Sequence, residues 1–296
     1  MTSPTTSIFQ RYIKRLTPRL KRGIALFKDD PGLFAHKIIV KLRLLFLRSS
    51  KPITTDISGV RFRFDLSYDP AIRLMYVGGY EIETITVMRD LLNPGDTFLD
   101  IGANIGYLSA IAAGLVGKKG SVHAFEPVPE YFKRLRDFKE LNLEYAITVN
   151  NIALGETRKS SRIAVSDYSN IGWNTMVSGY MKERMLKEVI DINVIPLDDY
   201  ISEKKLVSVS LMKIDTEGYE YFVFLGMSNF LTETPTKPAI LCEINADAYR
   251  FTDHSLSDLD TLIRDLGYRA YEVSKRRAPV SIPSLTTNTD VLLLPK

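Results

Sequence analysis

From residue 96 onward, short apolar runs alternate with stretches in which apolar residues recur every three or four positions. Thr97–Ile101, Ser121–Phe125, 146–154, Leu211–Ile214 and Ala239–Ile244 read as buried parallel strands, because each is a brief apolar run bounded by turn residues. The spacing of Leu108, Ile111, Ala112 and Leu115 predicts a helix over 104–116, closed by Gly117. Phe132, Leu135 and Phe138 predict another over 129–141. A helix is expected from Gly218, and one over 256–266 that Gly267 ends. Residues 269–273 and 290–294 supply two last strands. Such alternation predicts a doubly wound α/β fold, a mainly parallel sheet covered by helices on both faces.

The pattern divides the chain. Residues 1–52 form a basic, helical N-terminal extension with Pro18 and Pro31 as breaks, and 53–296 form the main domain. Within that domain, 53–95 is a lead-in: residues 57–66 alternate like strands, and 74–92 have helical spacing up to the Pro94-Gly95 turn. Residues 155–210 interrupt the alternation as an insertion with some strand character, a helix-like stretch over 181–189, and the only tryptophan, Trp173.

Composition is that of an ordinary globular chain, 45% hydrophobic and 25% charged. The single cysteine, Cys242, excludes a disulfide framework or a cysteine-rich metal site and favours a reducing cytoplasm. Net charge is +4, but residues 1–52 hold twelve Lys/Arg against Asp29 and Asp30, a local +10 that leaves −6 for the rest. No secretory signal is expected, and the most apolar stretch, 38–47, is too short and too charged, with Lys41 and Arg43, to span a bilayer.

The chemistry is concentrated at the first strand–helix turn. Asp100 ends the first strand, Gly102-x-x-x-Gly106 follows, and Glu126 ends the second strand. An acid there suits a bidentate bond to two ribose hydroxyls, as in dinucleotide enzymes. The turn lacks G-x-G-x-x-G, and a carboxylate at Asp100 would repel a pyrophosphate. It suits a ligand carrying an ammonium and a sulfonium, which is S-adenosylmethionine. Gly102 would let the backbone approach that ligand. Asn150 and Asn151, at the third strand, are candidates for the adenine side.

These residues carry a family resemblance. Gly95-Asp96-Thr97-Phe98-Leu99-Asp100-Ile101-Gly102-Ala103-Asn104-Ile105-Gly106-Tyr107 resembles the signature of FkbM-family methyltransferases. So do Phe125-Glu126-Pro127, Ile195-Pro196-Leu197-Asp198-Asp199 and Lys213-Ile214-Asp215-Thr216-Glu217-Gly218-Tyr219-Glu220, with Gly79-Tyr80-Glu81 and Cys242-Glu243-Ile244 as outer matches. The resemblance spans 57–296 and implies a class I, seven-stranded Rossmann-like fold that methylates a hydroxyl using S-adenosylmethionine. It makes Glu81, Asp100, Gly102, Ala103, Asn104, Gly106, Glu126, Pro127 and Asn151 the expected cofactor residues.

An alcohol is a poor nucleophile at neutral pH, so a base or a metal is needed near the methyl. Asp215 and Glu217 end the fourth strand, on the edge where open α/β sheets bind ligands, and Glu243 ends the fifth. Asp215 or Glu217 is the expected base or hydroxyl-positioning group, with Glu243 in support. The alternative makes Glu217 a helix cap and leaves Glu220 in solvent. Carboxylates also suit magnesium or calcium, but the spacing assigns no metal. His254, after the fifth strand, is a lesser base candidate, and His123 belongs in the core.

The expected acceptor is a hydroxyl on a sugar, glycan or other small metabolite. No nucleic-acid partner is expected, because the main domain is net acidic. Phe9, Tyr12, Ile13 and Leu16, and later Ile38, Leu42, Leu45 and Phe46, lie among basic residues, which suits peripheral contact with an anionic membrane. Oligomeric state is not assigned. Two competing readings are a nicotinamide-dependent oxidoreductase and a non-catalytic binding module that keeps the cofactor fold.

Overall fold

The computed structural model describes residues 30–47, 51–167, 172–274 and 277–296. The expected helix around Phe9–Leu16 and the break at Pro18 lie outside the described residues. The N-terminal helix α1 (Pro31–Phe46) is capped by Asp30, whose side chain accepts the Leu33 N–H. Pro31 thus starts a helix instead of breaking one, since the first helical position has no N–H to lose. A hairpin of β1 (Ile53–Ile57) and β2 (Val60–Phe64) follows. Two helices come next, α2 (Pro70–Tyr76) and α3 (Ile82–Leu91), where the spacing had predicted one continuous stretch. The break falls at Gly78, with φ of +76°, and Gly79, where a Cβ would lie 2.5 Å from Val40 of α1.

The main sheet holds β3 (Thr97–Ile101), β4 (Ser121–Phe125), β5 (Ala146–Asn150), β9 (Leu211–Ile214), β10 (Ala239–Ile244), β11 (Tyr268–Glu272) and β12 (Thr289–Pro295). Their order is β11-β12-β10-β9-β3-β4-β5, parallel except that β12 runs antiparallel to both neighbours. Alternate residues face opposite layers: Phe98, Val122 and Leu211 join one core, while Leu99, Phe125 and Met212 join the other. The first core is covered by α4 (Tyr107–Val116) and α5 (Pro129–Glu140) with the hairpin. The second is covered by α6 (Leu197–Lys204), α7 (Glu220–Leu225), α8 (Ser228–Glu233) and α9 (Leu256–Asp265).

Four segments depart from expectation. Residues 146–154 are two strands: β5 stays in the main sheet, and β6 (Ala153–Leu154) leaves it to pair with β8 (Leu186–Ile195). The helix-like stretch 181–189 is a single 3-10 turn followed by β8, which pairs antiparallel with β7 (Lys159–Ser166). Its β-branched Val189, Ile190 and Ile192 suit a strand once a partner is supplied. Helix α4 starts at Tyr107, not 104, because Asn104 and Gly106 both adopt positive φ; α7 likewise starts at Glu220, after a glycine at +102°. Nor is α4 one-sided: Ala110, Ile111, Ala112 and Ala113 are all buried, whereas Leu108 is partly exposed.

Gly102 ties the two halves of the sheet edge together. Its φ is +85°, and a Cβ would sit 1.8 Å from the Asp215 carbonyl oxygen. Gly95 has a similar φ, +97°, with nothing within 4 Å. Gly95→Ala is therefore expected to lose only the left-handed strain, about 1–2 kcal/mol. Gly102→Ala should lose about 2 kcal/mol more, because backbone cannot yield as a side chain does. Equal melting temperatures for the two variants would show that the Asp215 turn moves aside.

Candidate active site

A cavity opens at the carboxyl ends of β3, β4 and β9, where a parallel sheet presents its loops. The turn after β3 forms its floor. Gly102 and Ala103 both donate to the Phe125 carbonyl (3.1 and 2.9 Å), which joins that turn to the end of β4. Glu126 is buried beside it; Oε2 accepts the Asn104 N–H and Oε1 the Val128 N–H, each at 2.8 Å. Burial pushes its pKa up to about 7. Asp100 is buried too, with Oδ2 accepting the Ser109 hydroxyl at 2.5 Å, and burial raises it to about 6. One Asp100 oxygen thus anchors strand to helix. Phe125, Ile152, Ala153 and Leu154 supply an apolar wall, and Asn174 and Met176 reach in from 155–210.

Of the expected cofactor residues, Glu81, Asp100, Gly102, Ala103, Asn104, Glu126 and Pro127 line this cavity. Asn151 and Gly106 do not. Asn151 donates to the Glu126 and Pro127 carbonyls, both at 2.9 Å, so it fastens the loop from behind. Gly106 serves packing: a Cβ there would meet Leu135 at 2.5 Å. Gly102 likewise admits the Asp215 backbone as much as any ligand.

The acids meet around Lys213, which is fully buried with its ammonium 3.4 Å from Asp290 and 3.9 Å from Asp215. Burial alone would lower its pKa, but the charges of Asp215, Asp290, Glu81 and Glu243 hold it well above the usual lysine value. Carboxylate oxygens of Asp215, Glu217 and Glu243 lie within 4.8 Å of one another, as do those of Glu81, Glu243 and Asp290. Asp215 and Glu217 line the cavity, and Glu243 stands behind them. Burial, then the charge of Asp215, pushes Glu217 up to about 8. The Asp215 charge, then burial, pushes Glu243 up to about 9. Burial also raises Asp215 and Glu81.

Glu217 is held in place. Its backbone has φ of +51°, its carbonyl accepts the Thr175 hydroxyl at 2.7 Å, and its Oε2 accepts the Asn245 amide at 2.6 Å. Asn245 in turn accepts the Tyr180 hydroxyl at 3.0 Å. Glu217 makes no side-chain cap to the helix that follows, and Glu220, expected in solvent, is fully buried and accepts the Gly218 N–H at 2.8 Å. His254 stacks on Tyr221 with ring centroids 4.0 Å apart and does not line the cavity. His123 is core, bonded to Tyr200. Asp290, Asn174 and Tyr180 carried no signal in the sequence; they arrive from strands and loops distant along the chain.

The cavity therefore presents Glu81, Asp100, Glu126, Asp215 and Glu217 with one lysine. A pyrophosphate would add charge of the wrong sign, whereas a ligand bearing an ammonium and a sulfonium relieves the excess. Buried Glu126 and the apolar wall fit the ribose and base of that ligand. Fold and site together define a class I S-adenosylmethionine-dependent methyltransferase. The chain belongs to the FkbM methyltransferase family: the Methyltransferase FkbM domain profile matches residues 100–270, more than half of the chain. S-adenosylmethionine is its cofactor, and the nicotinamide reading is set aside.

Relatives are distant. The 31-O-demethyl-FK506 methyltransferase FkbM of Streptomyces tacrolimicus is 26% identical over 212 residues, covering 60% of this chain and 74% of its own. The hexuronic acid methyltransferase AglP of Haloferax volcanii is 26% identical over 182 residues, covering 61% and 70%. Among solved structures, a methyltransferase FkbM of Methylobacillus flagellatus is 15% identical with a TM-score of 0.42, and the match covers 89% of this chain and 60% of that one. No helix among the described residues is long and apolar enough to cross a membrane.

The acid cluster carries a stability signature. A carboxyl whose folded pKa lies above its unfolded value near 4.5 contributes stability that is present below that value and lost as pH rises through the folded one. Thermal unfolding of the ligand-free protein should therefore fall by about 5 °C or more between pH 6 and 9, as Glu126, Glu217 and Glu243 ionise. Glu243→Gln should flatten the slope. A melting temperature that rises over this range would contradict the burial of these acids.

Proposed function

We propose that the protein transfers a methyl group to the oxygen of an alcohol on a sugar, glycan or other small hydroxylated metabolite. The observation that carries this reading is Glu217: a carboxylate in the cavity wall, oriented by Asn245, with its pKa pushed up to about 8 beside Asp215. A base of that strength is matched to removing a hydroxyl proton near neutral pH. Bound S-adenosylmethionine supplies an electrophilic methyl group. In this reading Glu126 accepts the two ribose hydroxyls with its remaining lone pairs, and Asp100 and Glu81 face the cationic end. Asp215 would orient the acceptor hydroxyl, and Glu217 would take its proton. Lys213 and Glu243 set the charge of the pair. The apolar wall keeps water out.

A hydroxylated acceptor, a sugar among the candidates, is supported by the names of two relatives. One relative is named for a hexuronic acid acceptor and another for an O-demethylated acceptor.

The test is direct. Calorimetric titration with S-adenosylhomocysteine should show binding that Glu126→Ala weakens about tenfold to a hundredfold, through loss of charge-assisted bonds. With a methyl-labelled donor and a panel of sugars that includes hexuronic acids, Glu217→Gln and Asp215→Asn should lower kcat by about 10²–10⁴ while leaving that affinity nearly unchanged. Unchanged turnover in both variants would sink the base assignment. Cofactor binding with no product across the panel would instead support a non-catalytic module. The reading assigns proton transfer to carboxylates alone, so dialysis against a chelator should leave turnover intact; loss restored by magnesium would transfer that role to a metal.

A further inference from the structure

Among the described residues, nothing covers the outer face of α1, which is apolar. Ile38, Ile39, Leu42, Leu45 and Phe46 are five of the twelve large apolar side chains exposed among the described residues, and Leu45 and Phe46 are 76% and 78% accessible. At about 100° per residue they fall within one arc of roughly 120°, which also takes in exposed Ala35. The opposite face is the one that packs on the domain. Val40 is buried there against Gly79, and His36 bonds the Gly78 carbonyl at 2.6 Å. A shallow groove lined by Ile39, Leu42, Phe46 and Tyr76 extends the apolar surface onto α2.

Cations border the arc on both sides. Exposed Lys41 lies on one edge, with Lys37 one turn earlier, and exposed Arg43 lies on the other. Lys37 is paired with Glu83 at 2.7 Å. No acid lies within α1, and residues 1–52 as a whole carry +10. An apolar stripe with basic margins matches an interface of acyl chains beneath anionic headgroups. A second copy docking on the same face would bring like charges together at both margins. The helix is about 24 Å long by its rise, and no helix among the described residues is long and apolar enough to cross a membrane.

We propose that α1 docks this protein on an anionic lipid surface, with Ile38, Ile39, Leu42, Leu45 and Phe46 entering the acyl boundary and Lys41 and Arg43 at the headgroups. The full chain should co-sediment with phosphatidylcholine vesicles containing phosphatidylglycerol, less with pure phosphatidylcholine, and less at high salt. The double variant Leu45→Ser/Phe46→Ser should weaken partition about tenfold or more, and Lys41→Glu should weaken it on the anionic vesicles only. Unchanged S-adenosylhomocysteine affinity in both variants establishes that the fold is intact. Absence of sedimentation overturns the proposal. So does partition that the double variant leaves untouched, which would place the contact elsewhere in the basic N-terminal region. A doubled mass by light scattering, reversed by the double variant and without vesicle binding, would assign the face to a second copy.

Discussion

The buried ammonium of Lys213 is the point on which the site depends. It stands in a central strand, fully enclosed, and the acids that face it come from four separate segments: Asp215 after β9, Glu243 on β10, Asp290 on β12 and Glu81 before α3. A buried cation needs such partners to remain charged, and the acids need the cation to be held so close together. One charge cannot satisfy all of them. Burial and the remaining imbalance raise Glu217, the imbalance and burial raise Glu243, and the cavity is left wanting positive charge.

That imbalance links stability to function. The protein without ligand carries an electrostatic penalty, which a ligand with its cationic end toward these acids would relieve. Packing keeps the penalty from being relaxed by movement. The Gly102 turn sits directly against the Asp215 carbonyl, and Glu217 is held in a left-handed conformation with its carbonyl, through Thr175, and its carboxylate, through Asn245, both engaged. The acids are thereby presented in one arrangement instead of dispersing into solvent.

Charge is also divided along the chain. The main domain is net acidic around a site for a cation, and the N-terminal region is strongly basic. Helix α1 uses one face for Val40 and His36 and leaves the other outside the core. Its packing on the turn at Gly78-Gly79 places it next to the segment that carries Tyr80 and Glu81 into the cavity. A surface-bound α1 and a working site would therefore share one short connection.

Much of this was legible in the chain. β3, β4, β9 and β10 declare themselves as brief apolar runs because parallel strands are buried on both faces, and Asp100, Glu126, Asp215 and Glu217 stand at their carboxyl ends because that edge is where the chain turns. Such signals are local, so sequence alone determined the fold class, the cofactor and the acidic character of the site. What it left open required contacts distant along the chain. Residues 181–189 have mixed propensity, and only pairing with β7 makes the end of that stretch a strand. Asn151 and Gly106 sit in the right motif, yet hydrogen bonding and the Leu135 contact give them supporting places. Asp290 reaches Lys213 across 77 residues, and Glu220, polar in the sequence, is sealed in the core. Tertiary structure decided these because burial, charge pairing and backbone clash are properties of neighbours in space, and no pattern along the chain records them.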